Sequence, residues 1–249
     1  MTACFRFGLK LISTILLLLL SADTKGANYP VVLRSRHNIE SHPSTLNDIY
    51  IGELPVIEYP LLAKFVQVKQ IRFNNTLNRE NVGATDEKLR ALSNLSFTNL
   101  TGIAMLNCSR VTDDGIKTLT KIPSLRWLQL EGTSITDAAL DVMASQMQLA
   151  EINCANCPKV NVSGLKSIAA SAFLRDLSFS AVNLQQADIL QLIKMFKTNV
   201  TRCQIIDTER KLDTGPLKTT AAEKRIQLFV YSKGALQLLL DGTGKRDKL

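Results

Sequence analysis

Cys154-Ala155-Asn156-Cys157 has the spacing of half a zinc site or of a redox dithiol, with two sulfur ligands three residues apart. The other half of such a site is missing. No second C-x-x-C occurs, and both histidines, His37 and His42, lie far upstream. They flank a stretch of Ser, Asn and Pro, and nothing in the sequence pairs them with a nucleophile and an acid. No G-x-S-x-G, P-loop, H-E-x-x-H or G-x-G-x-x-G is present. Hence no catalytic residue, no metal-ligand set, no cofactor and no enzymatic activity are expected. Asn-x-Ser/Thr triplets stand at Asn74, Asn94, Asn99, Asn107, Asn161 and Asn199. They are glycan acceptors only in a eukaryotic secretory pathway, and repeats rich in Asn, Ser and Thr produce such triplets anyway.

The 249 residues suffice for one large domain, and 45% hydrophobic with 21% charged residues excludes wholesale disorder and fibrous composition. Arg6 and Lys10 precede an apolar block ending at Leu20, followed by the small and polar run Ser21 to Ala27. Those are the parts of a secretory signal peptide. The uncharged run from Leu11 to Ala22 is shorter than the about 20 residues a bilayer requires. Residues 1–26 are therefore expected to be a signal peptide, cleaved after Ala22 or Gly26. The mature chain is expected to be secreted or extracytoplasmic, with no stable membrane span. Its removal takes away three basic residues and one acidic one, so the formal charge falls from +8 to +6. Most of that excess follows Glu209, and residues 242–249 read as a basic tail. With no recognised motif or dense basic stripe, nucleic acid is not an expected partner.

A repeat occupies the middle of the chain. The frame apolar-x-x-apolar-x-apolar-x-x-Cys/Thr/Val reads Leu100, Ile103, Met105, Cys108, then Leu125, Leu128, Leu130, Thr133, then Leu149, Ile152, Cys154, Cys157. It continues through Leu174, Leu177, Phe179, Val182 and Val200, Cys203, Ile205, Thr208. Val68, Ile71, Phe73 and Thr76 fit an earlier copy, and Leu228, Val230 and Lys233 a last one starting at Arg225. Leu46, Ile49, Ile51 and Leu54 read as an atypical opening turn. In the second half of each unit, Val111-Thr112-Asp113-Asp114-Gly115-Ile116 corresponds to Ile135-Thr136-Asp137-Ala138-Ala139-Leu140, and the segment from Val160 has the same shape. A Thr or Ser ahead of an i, i+3, i+4 apolar pattern predicts a capped amphipathic helix. Asp113 and Asp137 complement the positive end of its dipole. Each unit is thus a short strand, a turn and a helix.

These residues resemble the leucine-rich repeat family, in particular its cysteine-containing subclass with units of the form L-x-x-L-x-L-x-x-C-x-x-I-T-D-x-G-L. The resemblance implies an α/β solenoid, a horseshoe with parallel strands on its concave face and helices on its convex face. Stacked units then supply the core that one unit lacks. It places about six to seven repeats over residues 67–241, with 27–66 as linker and N-terminal cap. Cys108, Cys154, Cys157 and Cys203 fall on inward frame positions, so they are expected to be buried structural thiols.

Strand residues between the apolar positions face the concave side. They include Lys69, Gln70, Arg72, Arg126, Trp127, Gln129, Glu131, Glu151, Asn153, Arg175, Asp176, Ser178, Arg202 and Gln204, and then Gln227, Phe229 and Tyr231. Arg72, Arg126, Trp127, Glu131, Glu151, Arg175, Asp176 and Arg202 are the candidate binding residues. Trp127, the only tryptophan, either anchors a partner beside Arg126 and Arg175 or lies flat over neighbouring strands. The mixed charges favour a protein or peptide partner. Two functions follow as expectations. One is an exported scaffold for protein–protein interaction through the concave face. The other is an intracellular F-box-like substrate adaptor of a ubiquitin-ligase complex, on the strength of Leu54-Pro55, Ile57-Glu58 and Leu61-Leu62. Pro60 would break the helix an F-box requires.

Overall fold

The computed structural model describes residues 31–74, 83–209, 212–232 and 235–240. The expected signal peptide, the basic tail, Thr76 and Lys233 lie outside them. The chain separates into Met1–Val31 and Val32–Leu249, and the repeats occupy the second unit. The strands are β1 (Val31–Leu33), β2 (Asp48–Ile51), β3 (Gln70–Asn74), β4 (Gly102–Leu106), β5 (Trp127–Gln129), β6 (Glu151–Asn153), β7 (Asp176–Ser180), β8 (Arg202–Ile206), β9 (Gln227–Ser232) and β10 (Ala235–Leu240). They form one sheet in chain order. From β2 to β9 every pairing is parallel, and β10 turns back antiparallel on β9.

Helices α1 (Arg36–Ser41), α2 (Asp86–Ser93), α3 (Asp113–Leu119), α4 (Asp137–Gln146), α5 (Val162–Ala169), α6 (Gln186–Met195) and α7 (Thr214–Lys224) alternate with the strands. From α2 onward, consecutive helices pack on one another as consecutive strands do. The chain is an α/β solenoid with parallel strands on the concave face and helices on the convex face, the fold that the resemblance to leucine-rich repeats implies. Its core is a set of rows running across the strands. Ile49, Ile71, Ile103, Leu128, Ile152, Leu177, Cys203 and Leu228 align in register, and all are buried.

A threonine–aspartate pair at the starts of α2, α3 and α4 joins neighbouring repeats. Thr112 and Thr136 cap their helices by accepting from the N–H of Asp114 and Ala138. Each is also held by the aspartate of the preceding helix. Asp86 accepts from the Thr112 N–H at 2.8 Å and its hydroxyl at 2.6 Å, and Asp113 accepts from the same two groups of Thr136 at 2.7 Å each. Asp137 accepts from the Asn161 N–H at 2.7 Å, and Asn161 makes no side-chain cap. At two of these helix starts glycine leaves room for the carboxylate, while Ala139 stands at the same place in α4. A Cβ at Gly115 would lie 2.3 Å from Asp86 Oδ1, and one at Gly164 2.7 Å from Asp137 Oδ1.

Three frame positions depart from expectation. Arg225 is not the first core residue of the last repeat. It closes α7 in the left-handed region at φ 57°, and Ile226 enters the core instead. Val182 is 40% exposed, whereas Cys108, Thr133 and Cys157 at the same place are buried. Those three follow left-handed residues, Asn107, Gly132 and Asn156, which turn the chain inward. Ala181 has no such turn and is not a residue that readily makes one. Thr208, which follows Asp207 rather than a left-handed residue, is half-buried. Ahead of the repeats, Val56–Lys64 winds as a 3-10 helix with Pro60 inside it, where an F-box would need an α-helix.

Candidate functional site

On the concave face, one row reads Asp48, Gln70, Gly102, Trp127, Glu151, Asp176, Arg202 and Gln227. The parallel row two residues further along each strand reads Tyr50, Arg72, Ala104, Gln129, Asn153, Ser178, Gln204 and Phe229. In these two rows β4 carries only Gly102 and Ala104, so it forms a low step between β3 and β5. The Trp127 indole fills it. A Cβ at Gly102 would sit 1.7 Å from Cε2 of that ring. Trp127 therefore lies over the neighbouring strand while staying half-exposed.

Its basic neighbour is Arg72. The Arg72 guanidinium lies 5.8 Å from the centre of the Tyr50 ring and 5.9 Å from that of Trp127, and it donates to Gln70 Oε1. A cation set against two aromatic rings contributes about 0.5–2 kcal/mol per contact, the more so when water is excluded. Burial raises the Tyr50 pKa, opposed by the charge and hydrogen bond of Arg72. It also raises that of Asp48, opposed by Arg72 and Lys69.

The other candidate residues are placed differently. Arg126 and Arg175 are exposed one residue ahead of their strands, and Arg126 Nη1 donates at 2.8 Å to the carbonyls of Pro123 and Leu125. Glu151, Asp176 and Arg202 stand side by side on β6, β7 and β8. Arg202 Nη1 lies 3.6 Å from Asp176 Oδ2, and Thr201 donates to Asp176 Oδ1. Desolvation and then the Asp176 charge raise the Glu151 pKa, against Arg202. Beyond them the face becomes apolar: Ile206 and Tyr231 are buried, Phe229 is half-buried, and Leu236 pairs in register with Tyr231.

Glu131 is a correction. It is 9% exposed, and its Oε1 accepts from Asn156 Nδ2 at 3.1 Å, so it holds the turn of the next repeat instead of facing a partner. The chain turns at Gly132, φ 71°, and this draws Glu131 under Asn156. Burial raises its pKa from the ordinary 4.5, with Asn156 opposing. The native carboxyl then binds its proton more tightly than the unfolded one. The stability it contributes is full below pH 4.5 and is lost as pH rises through the raised native value. Glu131→Gln keeps the acceptor and removes the charge. At pH 7 its urea midpoint is expected to exceed that of the parent, with the gain vanishing below pH 4.5; equal midpoints at pH 7 would contradict the assignment.

The C-x-x-C residues are free thiols, as are Cys108 and Cys203, and all four are buried. The pair is aimed apart. Cys154 Sγ donates to the Ser178 carbonyl on β7, while Cys157 Sγ donates at 3.1 Å to the Leu130 carbonyl beside β5. Burial raises the pKa of both, and pushes Cys108 up to about 11. Thiols so held are poor nucleophiles and poor ligands. Among the described residues, no three His, Cys, Asp or Glu side chains gather as a metal site. A cleft of about 300 Å³ lies over the pair, walled by Phe179, Val182, Leu165 and Pro158.

Tyr50, Gly102 and Asp48 belong to the site and were not singled out from the sequence. Tyr50 stands in the opening turn where Arg72 stands in its own repeat, which is the signal that identifies it.

No family model and no curated protein matches this chain. Solved structures similar to it include an internalin from Listeria monocytogenes, at 17% identity and TM-score 0.42, covering 86% of this chain and 61% of that one. TLR13, solved in complex with ssRNA13, is similar at 14% identity and TM-score 0.38, over 76% of this chain and 33% of that one. A chain of the yeast Rad7–Elc1 complex is similar at 12% identity and TM-score 0.29, covering 85% and 82%. The chain thus spans less than two thirds of the first two.

Proposed function

We propose that this protein is an exported, non-catalytic scaffold that holds a protein or peptide partner on its concave face. The observation that carries the reading is the Tyr50–Arg72–Trp127 stack over the Gly102–Ala104 step. It holds a half-exposed indole and a guanidinium in fixed positions beside the polar residues of β6 to β8. Such preorganised aromatic and arginine anchors supply most of the energy in protein interfaces. Export rests on the basic, apolar and small-residue segments of residues 1–26. Among the described residues, no helix is long and apolar enough to cross a membrane.

The test has two arms. N-terminal sequencing of the protein from fractionated native cells is expected to begin near Asp23 or Ala27; an intact Met1 in the cytosol would overturn export. With a partner captured from the same fraction, Trp127→Ala is expected to weaken binding roughly thirtyfold, the loss of about 2 kcal/mol typical of a central anchor. Unchanged affinity in a variant with parental circular dichroism would overturn the concave-face reading.

A further inference from the structure

Parallel stacking gives the solenoid two unlike edges, one where helices begin and one where they end. The first edge holds Asp86, Glu87, Asp113, Asp114, Asp137 and Asp188, in the first turns of their helices. The second is built from the last helical turns and the segments leading into the strands: residues 38–47, 61–69, 90–101, 116–126, 143–150, 166–175, 192–201 and 221–226. These hold twelve Lys or Arg and two acids, Glu40 and Glu223. Counting Asp48, Glu151, Asp176 and Arg202 at the strand starts as well leaves this edge at +8. Helix C-termini attract cations, but seven of them at about half a negative charge each offset only roughly 3.5 of it. The acids of the first edge lie a helix length away, about 10–15 Å, at or beyond the screening length in salt. The segments stack repeat on repeat: Ser124 donates to the Leu100 carbonyl, Asn199 to that of Leu174 and Lys224 to that of Phe196. Lys69, Arg126 and Arg175 fall in one backbone row at alternate strands, about 10 Å apart. Three large apolar side chains, Val66, Phe173 and Met195, stand exposed in these same segments. The cations are dispersed in the sequence and become an edge only when the repeats stack.

We propose that this edge docks the protein peripherally on an anionic lipid surface. Lys and Arg meet the headgroups, and the tips of Val66, Phe173 and Met195 enter the boundary beneath them. The apolar residues decide for lipid over a soluble polyanion, which is attracted by the cations and gains nothing from exposed Phe173. The acids on the far edge turn the molecule, so that the basic edge approaches a negative surface first. The strands then stand on end, and the concave trough opens sideways, free for a partner. The proposal goes beyond the concave-face reading and does not depend on it.

The test is cosedimentation of the protein, recovered from native cells, with vesicles of equimolar phosphatidylglycerol and phosphatidylcholine, and with vesicles of phosphatidylcholine alone. Binding is expected to the first and not the second, and to weaken as salt rises. Lys121→Glu/Lys197→Glu removes two exposed cations of the edge and is expected to weaken binding about thirtyfold or more. Lys159→Glu/Lys218→Glu makes the same charge change at exposed sites nearer the other edge, and is expected to weaken it far less. Phe173→Trp in a Trp127→Phe background puts the chain's one tryptophan on the edge. Its emission is expected to shift to the blue on the anionic vesicles and to stay in place with dextran sulfate, a soluble polyanion. Equal binding to both kinds of vesicle, or equal losses from the two lysine pairs, would overturn the proposal. Binding to dextran sulfate with an unshifted emission on vesicles would overturn it in favour of a soluble polyanion. Each of these results leaves the concave-face reading standing.

Discussion

Gly102→Ala is expected to unseat Trp127. The ring occupies the space a methyl group would need, with Cε2, Cζ2 and Nε1 all within 2.2 Å of the position a Cβ would take. β4 is a central strand whose backbone is paired on both sides, so it cannot retreat, and the indole must rotate off the step. Overfilling of this kind costs about 1–3 kcal/mol. It also frees Arg72 from one of its two rings. Because the chain has one tryptophan, its fluorescence reports this seat alone. Emission is expected to shift to the red and the near-ultraviolet circular dichroism of the indole to fade. Partner affinity is expected to fall as far as in Trp127→Ala. An unshifted spectrum would mean that Trp127 does not rest on Gly102.

Asp113→Ala removes the staple between α3 and α4. Its carboxylate takes both the N–H and the hydroxyl of Thr136 at 2.7 Å, across a boundary where each repeat depends on its neighbour. Hydrogen bonds to a charged group contribute about 1.5–3 kcal/mol each, so losing two costs roughly 3–6 kcal/mol. Asp114→Ala is the control. Asp114 is exposed on the same first turn, and its removal costs only the helix-dipole contribution of about 0.3–1 kcal/mol. Urea denaturation of both variants separates the two roles. Equal losses would return Asp113 to the part of a simple dipole partner.

The repeat was legible because its signal is local. Leu125, Leu128 and Leu130 lie within six residues, and the threonine cap and apolar face of α4 follow within fifteen, so spacing alone assigns strand and helix. The site was legible only in part, because it is made by register between residues some twenty-five positions apart. Nothing near Trp127 in the sequence announces that its seat is Gly102, or that its arginine is Arg72 and not the adjacent Arg126. The same holds for Asp113, whose dipole role is visible in its own helix while its larger role lies in the next. Glu131 and Val182 went astray for a different reason. Strand alternation predicts where a side chain points until the chain turns, and the turn depends on whether Asn107, Gly132 and Asn156 have a left-handed counterpart at Ala181.

The central claim is that the partner meets the strands and not the helices. Site-specific crosslinking addresses it directly. A photo-crosslinking amino acid in place of Ser178, half-buried on the concave row, is compared with one in place of Lys117, exposed on α3. Both are irradiated in the fraction from which the native protein is recovered. The concave-face account predicts a discrete adduct from position 178, lost when Trp127→Ala is added, and none from 117. An adduct from 117 alone would place the partner on the convex helices and contradict the account.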